Sequence, residues 1–201
     1  VIRSTVVPGT TRRYANKYPK MHFVFNPEFL TERMARLDFI NTSRIILGGS
    51  NGDVELVGKL YEMRFPSTPI YGTNFETAEF VKYFCNNFFT NKVMYFNEQF
   101  KVVQKWNDNK DSDSNIHWSG AVKLLLADGR IGNSHYDVPG HDGDFGFGGK
   151  CFPKDVNAYI NWAKSFGAKT PILEKDWEYN KEIRTNWDWK EIEGAVSKEN
   201  K

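Results

Sequence analysis

Residues 143–155 read Gly-Asp-Phe-Gly-Phe-Gly-Gly-Lys-Cys-Phe-Pro-Lys-Asp, and this stretch holds the residue types that could do chemistry. Glycines this dense cost backbone entropy, so they point to unusual φ angles or to a ligand lying close to the main chain. Pro153 suits the first turn of a helix running through Val156, Tyr159 and Ile160, where its missing N–H does no harm. Cys151 then falls at or just before a helix N-terminus, where free N–H groups and the helix dipole favour a thiolate. Lys154 and Asp155 follow three and four residues later, near the same helical face. A second reading stays equally open: a glycine turn before an ordinary helix, with a small buried cysteine.

Other polar residues invite the same weighing. Lys82 and Asn86, four apart in an otherwise aromatic stretch, project from one helical face and could polarise a carbonyl or stabilise an oxyanion. The competing reading places them on a solvated stripe, where such residues mostly sit. Cys85 lies among Val81, Phe84 and Phe88 and reads as a buried, inert thiol. Glu28 follows Asn26-Pro27 at a strand end, with Glu32 one turn later; either carboxylate could act as a base, or serve only a helix N-terminus. His135, Asp137, His141, Asp142 and Asp144 suggest metal ligands, but their spacing matches no tight zinc pattern and the sole nearby thiol is Cys151.

The elements that must carry these residues change character along the chain. Residues 1–7 are rich in β-branched side chains and end at Pro8-Gly9, residues 22–25 and 44–47 read as further strands, and Pro69-Ile70-Tyr71 as a short fourth. A short helix is expected from Thr10. A longer one, capped by Asp53, carries Val54, Val57, Leu60 and Tyr61 at helical spacing. Strands alternating with helices predict part of a parallel α/β sheet. No Gly-x-Gly-x-x-Gly follows any of these strands.

From Asn74 to about Trp106, Phe80, Phe84, Phe88, Phe89, Phe96 and Phe100 recur at helical spacing without proline or glycine. The apolar surface is wide enough to face both a core and a second subunit, so a homodimer through this helix is expected. A polar loop over residues 107–115, a helix over 116–127, an irregular segment over 130–150 and helices over 153–166 and 171–184 complete the reading. Residues 185–201 read as a linker or tail. The boundaries are therefore 1–73, 74–184 and 185–201.

The totals exclude several classes. Lys plus Arg is 27 against 25 for Asp plus Glu, a net charge of +2, so neither nucleic acid nor an anionic membrane is called for. Two cysteines do not make a disulfide framework, which suits a reducing cytoplasm. No apolar run approaches a membrane span of roughly 20 residues. Val1 is not a start methionine and opens inside a strand, so the chain is expected to be a fragment, a truncated product or one partner of a split enzyme.

Gly146-Phe147-Gly148-Gly149-Lys150-Cys151-Phe152-Pro153-Lys154-Asp155 resembles the catalytic signature of the UDP-glucose/GDP-mannose dehydrogenase family. Ser4-Thr5-Val6 with Pro8-Gly9-Thr10-Thr11, Asn26-Pro27-Glu28-Phe29-Leu30, Arg130-Ile131-Gly132, and Glu79-Phe80-Val81-Lys82 with Asn86 and Asn97 resemble further family segments, in the family's order. The resemblance implies an α/β plus α architecture: a partial, Rossmann-like parallel sheet of about four strands, then a mainly helical central dimerisation domain. It also implies an NAD-dependent two-step oxidation of a UDP-sugar such as UDP-glucose to the uronic acid. In that chemistry Cys151 forms a thiohemiacetal and then a thioester. Lys82 and Asn86 stabilise the oxyanion, Asp155 handles protons or water, and Glu28 serves hydrolysis with Thr5 nearby. Phe147, Gly148 and Gly149 lie against the substrate, with Asn97, Arg130 and Glu32 around it. Thr5, Glu32 and Lys154 approach the cofactor.

Departures from the family pattern are Arg33 after Glu32, Asn41-Thr42-Ser43 before Arg44, and a long loop over 134–145. The glycine-rich first part of the NAD domain and the C-terminal domain are not in the sequence, so NAD binding by this chain alone is expected to be poor. A non-catalytic dimerisation or sugar-nucleotide-binding module, or half of a split dehydrogenase, is the alternative.

Overall fold

The computed structural model describes residues 1–31 and 33–196. The chain forms two compact units, Val1–Cys85 and Asn86–Lys201. The first is an α/β layer built of α1 (Thr10–Lys17), β1 (Val24–Phe25), α2 (Ala35–Ile40), β2 (Ile45–Gly49), α3 (Asn51–Arg64) and β3 (Ile70–Thr73). Helix α4 (Phe75–Asn107) begins in this unit and continues into the second.

The sheet has the order β1-β2-β3. Strands β2 and β3 are parallel, with Ile45 opposite Ile70 and Leu47 opposite Gly72, and α3 supplies the crossover a parallel pair requires. Alternation along β2 sends Ile45 and Leu47 into a cluster with Val24, Phe65 and the α3 residues Val54, Val57 and Tyr61. Ile46 points the other way, to Phe25, Phe75 and Ala78. A strand buried on both faces explains the unbroken apolar run Ile45-Ile46-Leu47.

Three expectations are corrected. The sheet has three strands among the described residues, where the sequence suggests about four. Residues 1–7 contribute one bridge, Ile2 to Phe25, made by Ile2 N–H to Val24 O and Asn26 N–H to Ile2 O, each 2.8 Å. Pro27 lacks an N–H and restricts Asn26, so β1 stops after two residues and leaves no ladder to extend. The sheet is also mixed, because β1 and β2 pair antiparallel. The connection over residues 26–44, which includes α2, returns the chain beside β1 in the opposite direction. The cap of α3 moves as well. Ser50 is the N-cap, and Asp53 is the third helical residue, bonded to it in both directions: Ser50 Oγ donates to Asp53 Oδ2 at 2.6 Å and accepts from Asp53 N at 3.3 Å.

The second unit is helical: the remainder of α4, α5 (Trp118–Leu126), α6 (Cys151–Lys164) and α7 (Pro171–Ile183), with short 3-10 turns at Ser112–Ser114 and Asp188–Lys190. Its core joins Met94, Phe147, Val156, Ile160, Trp177, Trp189 and Ala195. Residues 185–196, read from sequence as linker or tail, are thus structural. Trp189 and Ala195 are wholly buried, and Trp189 packs on Trp177 and Trp187 at ring separations of 5.2 and 5.8 Å. Burying a large aromatic side chain stabilises by about 2–3 kcal/mol, which outweighs the weak local signal of the polar residues around it.

Along α4, about 50 Å of helix, the buried face carries polar as well as apolar residues. Phe84, Phe88, Tyr95, Val102 and Trp106, spaced four or seven apart, form an exposed apolar stripe.

Candidate active site

Helix α6 begins at Cys151 itself, whose thiol is exposed and free. Lys150 is its N-cap without a side-chain cap, and Pro153 stands at the third helical position, where no N–H is needed. One turn on, Asp155 is 1% exposed. The Asn86 amide donates to its Oδ2 at 2.5 Å, and Lys154 Nζ lies 2.7 Å from its Oδ1. That ion pair is the contact at Oδ1, since no hydrogen bond of standard geometry reaches this buried oxygen among the described residues. Asn86 Nδ2 carries a second hydrogen, so one donor remains after Asp155 is served. Thr90 returns its hydroxyl to the Asn86 and Asn87 carbonyls, both at 2.9 Å, within the same buried strip of α4.

The glycine-rich segment before Cys151 is held by the protein's own side chains. Asn97 Oδ1 accepts from Gly146 N at 3.0 Å while its Nδ2 donates to Val93 O. Asn180 accepts from Phe147 N at 2.7 Å and donates to Phe147 O at 3.0 Å. Asp188 accepts from Gly149 N, and Arg184 donates to Phe145 O at 3.2 Å. Arg184 also pairs with Asp142 at 2.6 Å, and Asp144 accepts from the Phe145, Thr185 and Asn186 amides and from the Thr185 hydroxyl. Two of the three aspartates weighed as metal ligands, Asp142 and Asp144, are therefore occupied in bracing the loop.

These contacts alter the picture of a substrate wall. The Phe147 ring is core, stacked on Trp177 and edge-on to Phe152, and both of its backbone groups are taken. A Cβ on Gly148 would meet the Arg184 guanidinium, so its lack of a side chain accommodates a buried arginine. Asn97 acts on the loop from behind, with both amide atoms used. Arg130 is exposed and folds back on Asp128. His135 stacks on Phe89 with centroids 4.1 Å apart; burial, with the Lys92 charge second, holds its imidazole below the usual histidine range.

In the first unit, Phe29 lies between two cations, the Arg44 guanidinium 4.6 Å and Lys82 Nζ 5.6 Å from its ring centre. Glu28 pairs with Arg3 at 3.8 Å on the wall of a cavity of about 230 Å³ that also touches Asn26, Arg44 and Tyr61. Thr5 is half-buried. Glu32 lies outside the described residues. Lys82 belongs to this unit and Asn86 to the other; they are related as successive turns of α4.

Sequence reasoning missed Asn180, Arg184 and Asp188, and it saw Glu79 only as part of a motif. Glu79 is fully buried and accepts from Gly9 N, Thr11 N and the Thr11 hydroxyl at 2.6–2.7 Å, capping α1 from a distant helix. The available signal was polar residues at helical spacing on an otherwise apolar face, as with Asn180 and Arg184, three and seven residues after Trp177, on and just after α7.

Comparison with known proteins identifies the family. Residues 1–64 match the UDP-glucose/GDP-mannose dehydrogenase family, NAD binding domain, and residues 76–182 match the same family's central domain. The UDP-glucose 6-dehydrogenase of Campylobacter jejuni is 34% identical over 162 residues, covering 80% of this chain and 38% of its own length. UDP-glucose 6-dehydrogenase TuaD of Bacillus subtilis is 30% identical over 199 residues, covering 92% and 39%. The solved UDP-glucose dehydrogenase of Pyrobaculum islandicum aligns with a TM-score of 0.72 at 28% identity, over 90% of this chain and 40% of that one. The chain thus spans about two fifths of the length of these relatives. With more than half of its residues in the central-domain match and the site's side chains braced as described, the chain belongs to the UDP-glucose/GDP-mannose dehydrogenase family.

Proposed function

We propose that this chain carries the covalent half of an NAD-dependent nucleotide-sugar dehydrogenase site, oxidising UDP-glucose or a related UDP-sugar to the uronic acid. The observation that carries the reading is the Asn86–Asp155–Lys154 cluster, buried one turn past an exposed cysteine at the start of α6. The helix N-terminus favours the Cys151 thiolate. That thiolate adds to the C6 aldehyde: the S–C bond forms and the carbonyl pair moves to oxygen, where the remaining Asn86 hydrogen and the Lys82 ammonium are the assigned donors. At the thioester stage water adds at the carbonyl carbon, the C–S bond breaks and the thiolate leaves. Thr5 and Glu32 are assigned to the cofactor side, and Gly149 and Arg130 to the substrate side, on the family resemblance.

NAD supplies hydride acceptance in this family's chemistry, but the first unit has no pyrophosphate cradle among the described residues. The amides at the start of α1 are taken by Glu79, α3 is capped by Ser50 beside Asp53, and Asn74 accepts from Thr77 N at the start of α4. This favours the second reading, in which the described residues bind the sugar nucleotide or dimerise and do not by themselves hold the NAD pyrophosphate. The α4 stripe is the proposed homodimer face. No helix among the described residues is long and apolar enough to cross a membrane, and a cytoplasmic setting is proposed from the two free thiols.

The test measures NADH and uronate formation from UDP-glucose with the chain completed by a glycine-rich NAD-binding segment, wild type against Cys151→Ser. Uronate formation is expected to vanish in the variant; its survival removes Cys151 as nucleophile. Calorimetry of the chain alone with UDP-glucose and with NAD separates the readings, since clear NAD binding contradicts the second.

A further inference from the structure

Arg184 and Asp188 lie outside every segment that the chemistry above uses, yet they grip the residues directly before Cys151. The Arg184 side chain is 2% exposed. Its guanidinium meets Asp142 at 2.6 Å and Asp188 at 3.5 Å and donates to the Asn186 and Phe145 carbonyls at 2.8 and 3.2 Å. A planar fork with partners on every side is rigid. Asp188, held by that fork, places both oxygens on Gly149 N, at 3.1 and 2.9 Å. On the other side the arginine fills the space where a Gly148 side chain would stand, so loop and arginine have no slack between them.

Helix α6 needs such a hold. Its N-cap Lys150 supplies no side-chain cap, and Pro153 brings no N–H to the first turn. The position of the Cys151 end of the helix is then set by what holds Gly149. Asp188 opens the 3-10 turn Asp188–Lys190, and the next residue, Trp189, is wholly buried in the core. We propose that Asp188, locked by Arg184 and anchored through Trp189, is a positioning residue for Cys151, and that this terminal segment takes the place of a helix cap. The proposal rests on Cys151 being the working thiol.

The test uses the chain as it stands, with Asp188→Ala, Asp188→Asn and Arg184→Lys. Iodoacetamide alkylation is followed across pH by peptide mass spectrometry, so Cys151 and Cys85 are read separately. Asparagine removes the charge but keeps an oxygen that accepts from Gly149 N, so the comparison of Ala with Asn isolates the hydrogen bond. Cys151 is expected to react about two- to fivefold more slowly in Asp188→Ala than in Asp188→Asn near neutral pH, with its midpoint shifted to higher pH and Cys85 unchanged. Equal Cys151 profiles for Ala and Asn overturn the proposal, as do Cys151 and Cys85 rising together, which marks general loosening. If Asp188→Ala does not fold, Arg184→Lys decides: a slower Cys151 with unchanged Cys85 supports the proposal, and a wild-type profile refutes it. Uronate formation surviving Cys151→Ser would remove the nucleophile while leaving the alkylation result standing, so the two failures are distinguishable.

Discussion

Gly148→Ala tests the bracing of the loop most directly. A Cβ at this position overlaps Nη2 and Cζ of Arg184 and lies 2.7 Å from Asp188 Oδ1. The tip of a surface arginine would swing aside at little cost. Arg184 is buried and tied to Asp142, Asp188 and two carbonyls, so it moves only by giving up charge-assisted contacts. Overpacking alone costs about 1–3 kcal/mol, and losing one partner of a buried ion pair about 3–5. The expected loss is about 2–4 kcal/mol, because some of the arginine's contacts survive a partial shift. Gly149→Ala is the control. Its φ of +71° strains an alanine, but nothing lies within 4 Å of the new methyl group. That strain costs about 1–2 kcal/mol. Urea unfolding of both variants beside the wild type reads the difference: at a slope of about 2 kcal/mol/M, Gly148→Ala lowers the midpoint by about 1–2 M and Gly149→Ala by less than about 1 M. A Gly148→Ala variant as stable as Gly149→Ala, at unchanged slope, refutes the claim that Arg184 is locked.

Two further outcomes are expected. Glu79→Gln turns an amide NH₂ toward at least one of the donors Gly9 N, Thr11 N and Thr11 Oγ1, and should destabilise α1 by about 1–3 kcal/mol. Faster amide exchange over Thr10–Lys17 with β2 unaffected is the signature; unchanged exchange contradicts the capping role. In acid, Asp144 and Asp142 act together. Burial alone would raise each carboxyl. For Asp144 the bonds from Asn186, Phe145 and Thr185 together outweigh it, and for Asp142 the Arg184 hydrogen bond, the Asp144 amide and the Arg184 charge do so together, so both are held below the ordinary 3.8. Their stabilisation is present above that value and is lost as pH falls below it through the folded values. Melting followed by tryptophan fluorescence should therefore drop steeply below about pH 4. Asp144→Asn should melt lower at neutral pH but lose less toward acid, and an equal or steeper acid loss in the variant contradicts the assignment.

Much of the scaffold was legible because its signals are local. Helical spacing located α3, α4, α6 and α7 to within a few residues, and Pro153 placed Cys151 at the start of α6 because a proline's missing N–H is tolerated only in a first turn. β-branched runs found β2 and β3, but the same signal overstated residues 1–7, since a strand exists only where a neighbour offers a ladder and Pro27 cuts that ladder short. Pairing direction was not readable either: it depends on how the chain returns, and spacing along one segment carries no record of its partner.

At the candidate site, the sequence by itself located the residue types and their spacing: a cysteine at a helix N-terminus, a carboxylate one turn later, and an amide and a lysine on a second helix. Only the tertiary structure decided what holds them. Asn97, Asn180, Arg184 and Asp188 come from three separate segments to bond four loop residues, Gly146, Phe147, Phe145 and Gly149 in turn. Local propensity cannot encode such meetings, because each contact is between residues tens of positions apart and exists only once the core around Trp189 has closed. The glycines of the loop were visible as glycines. That they make room for the protein's own buried arginine follows from the fold.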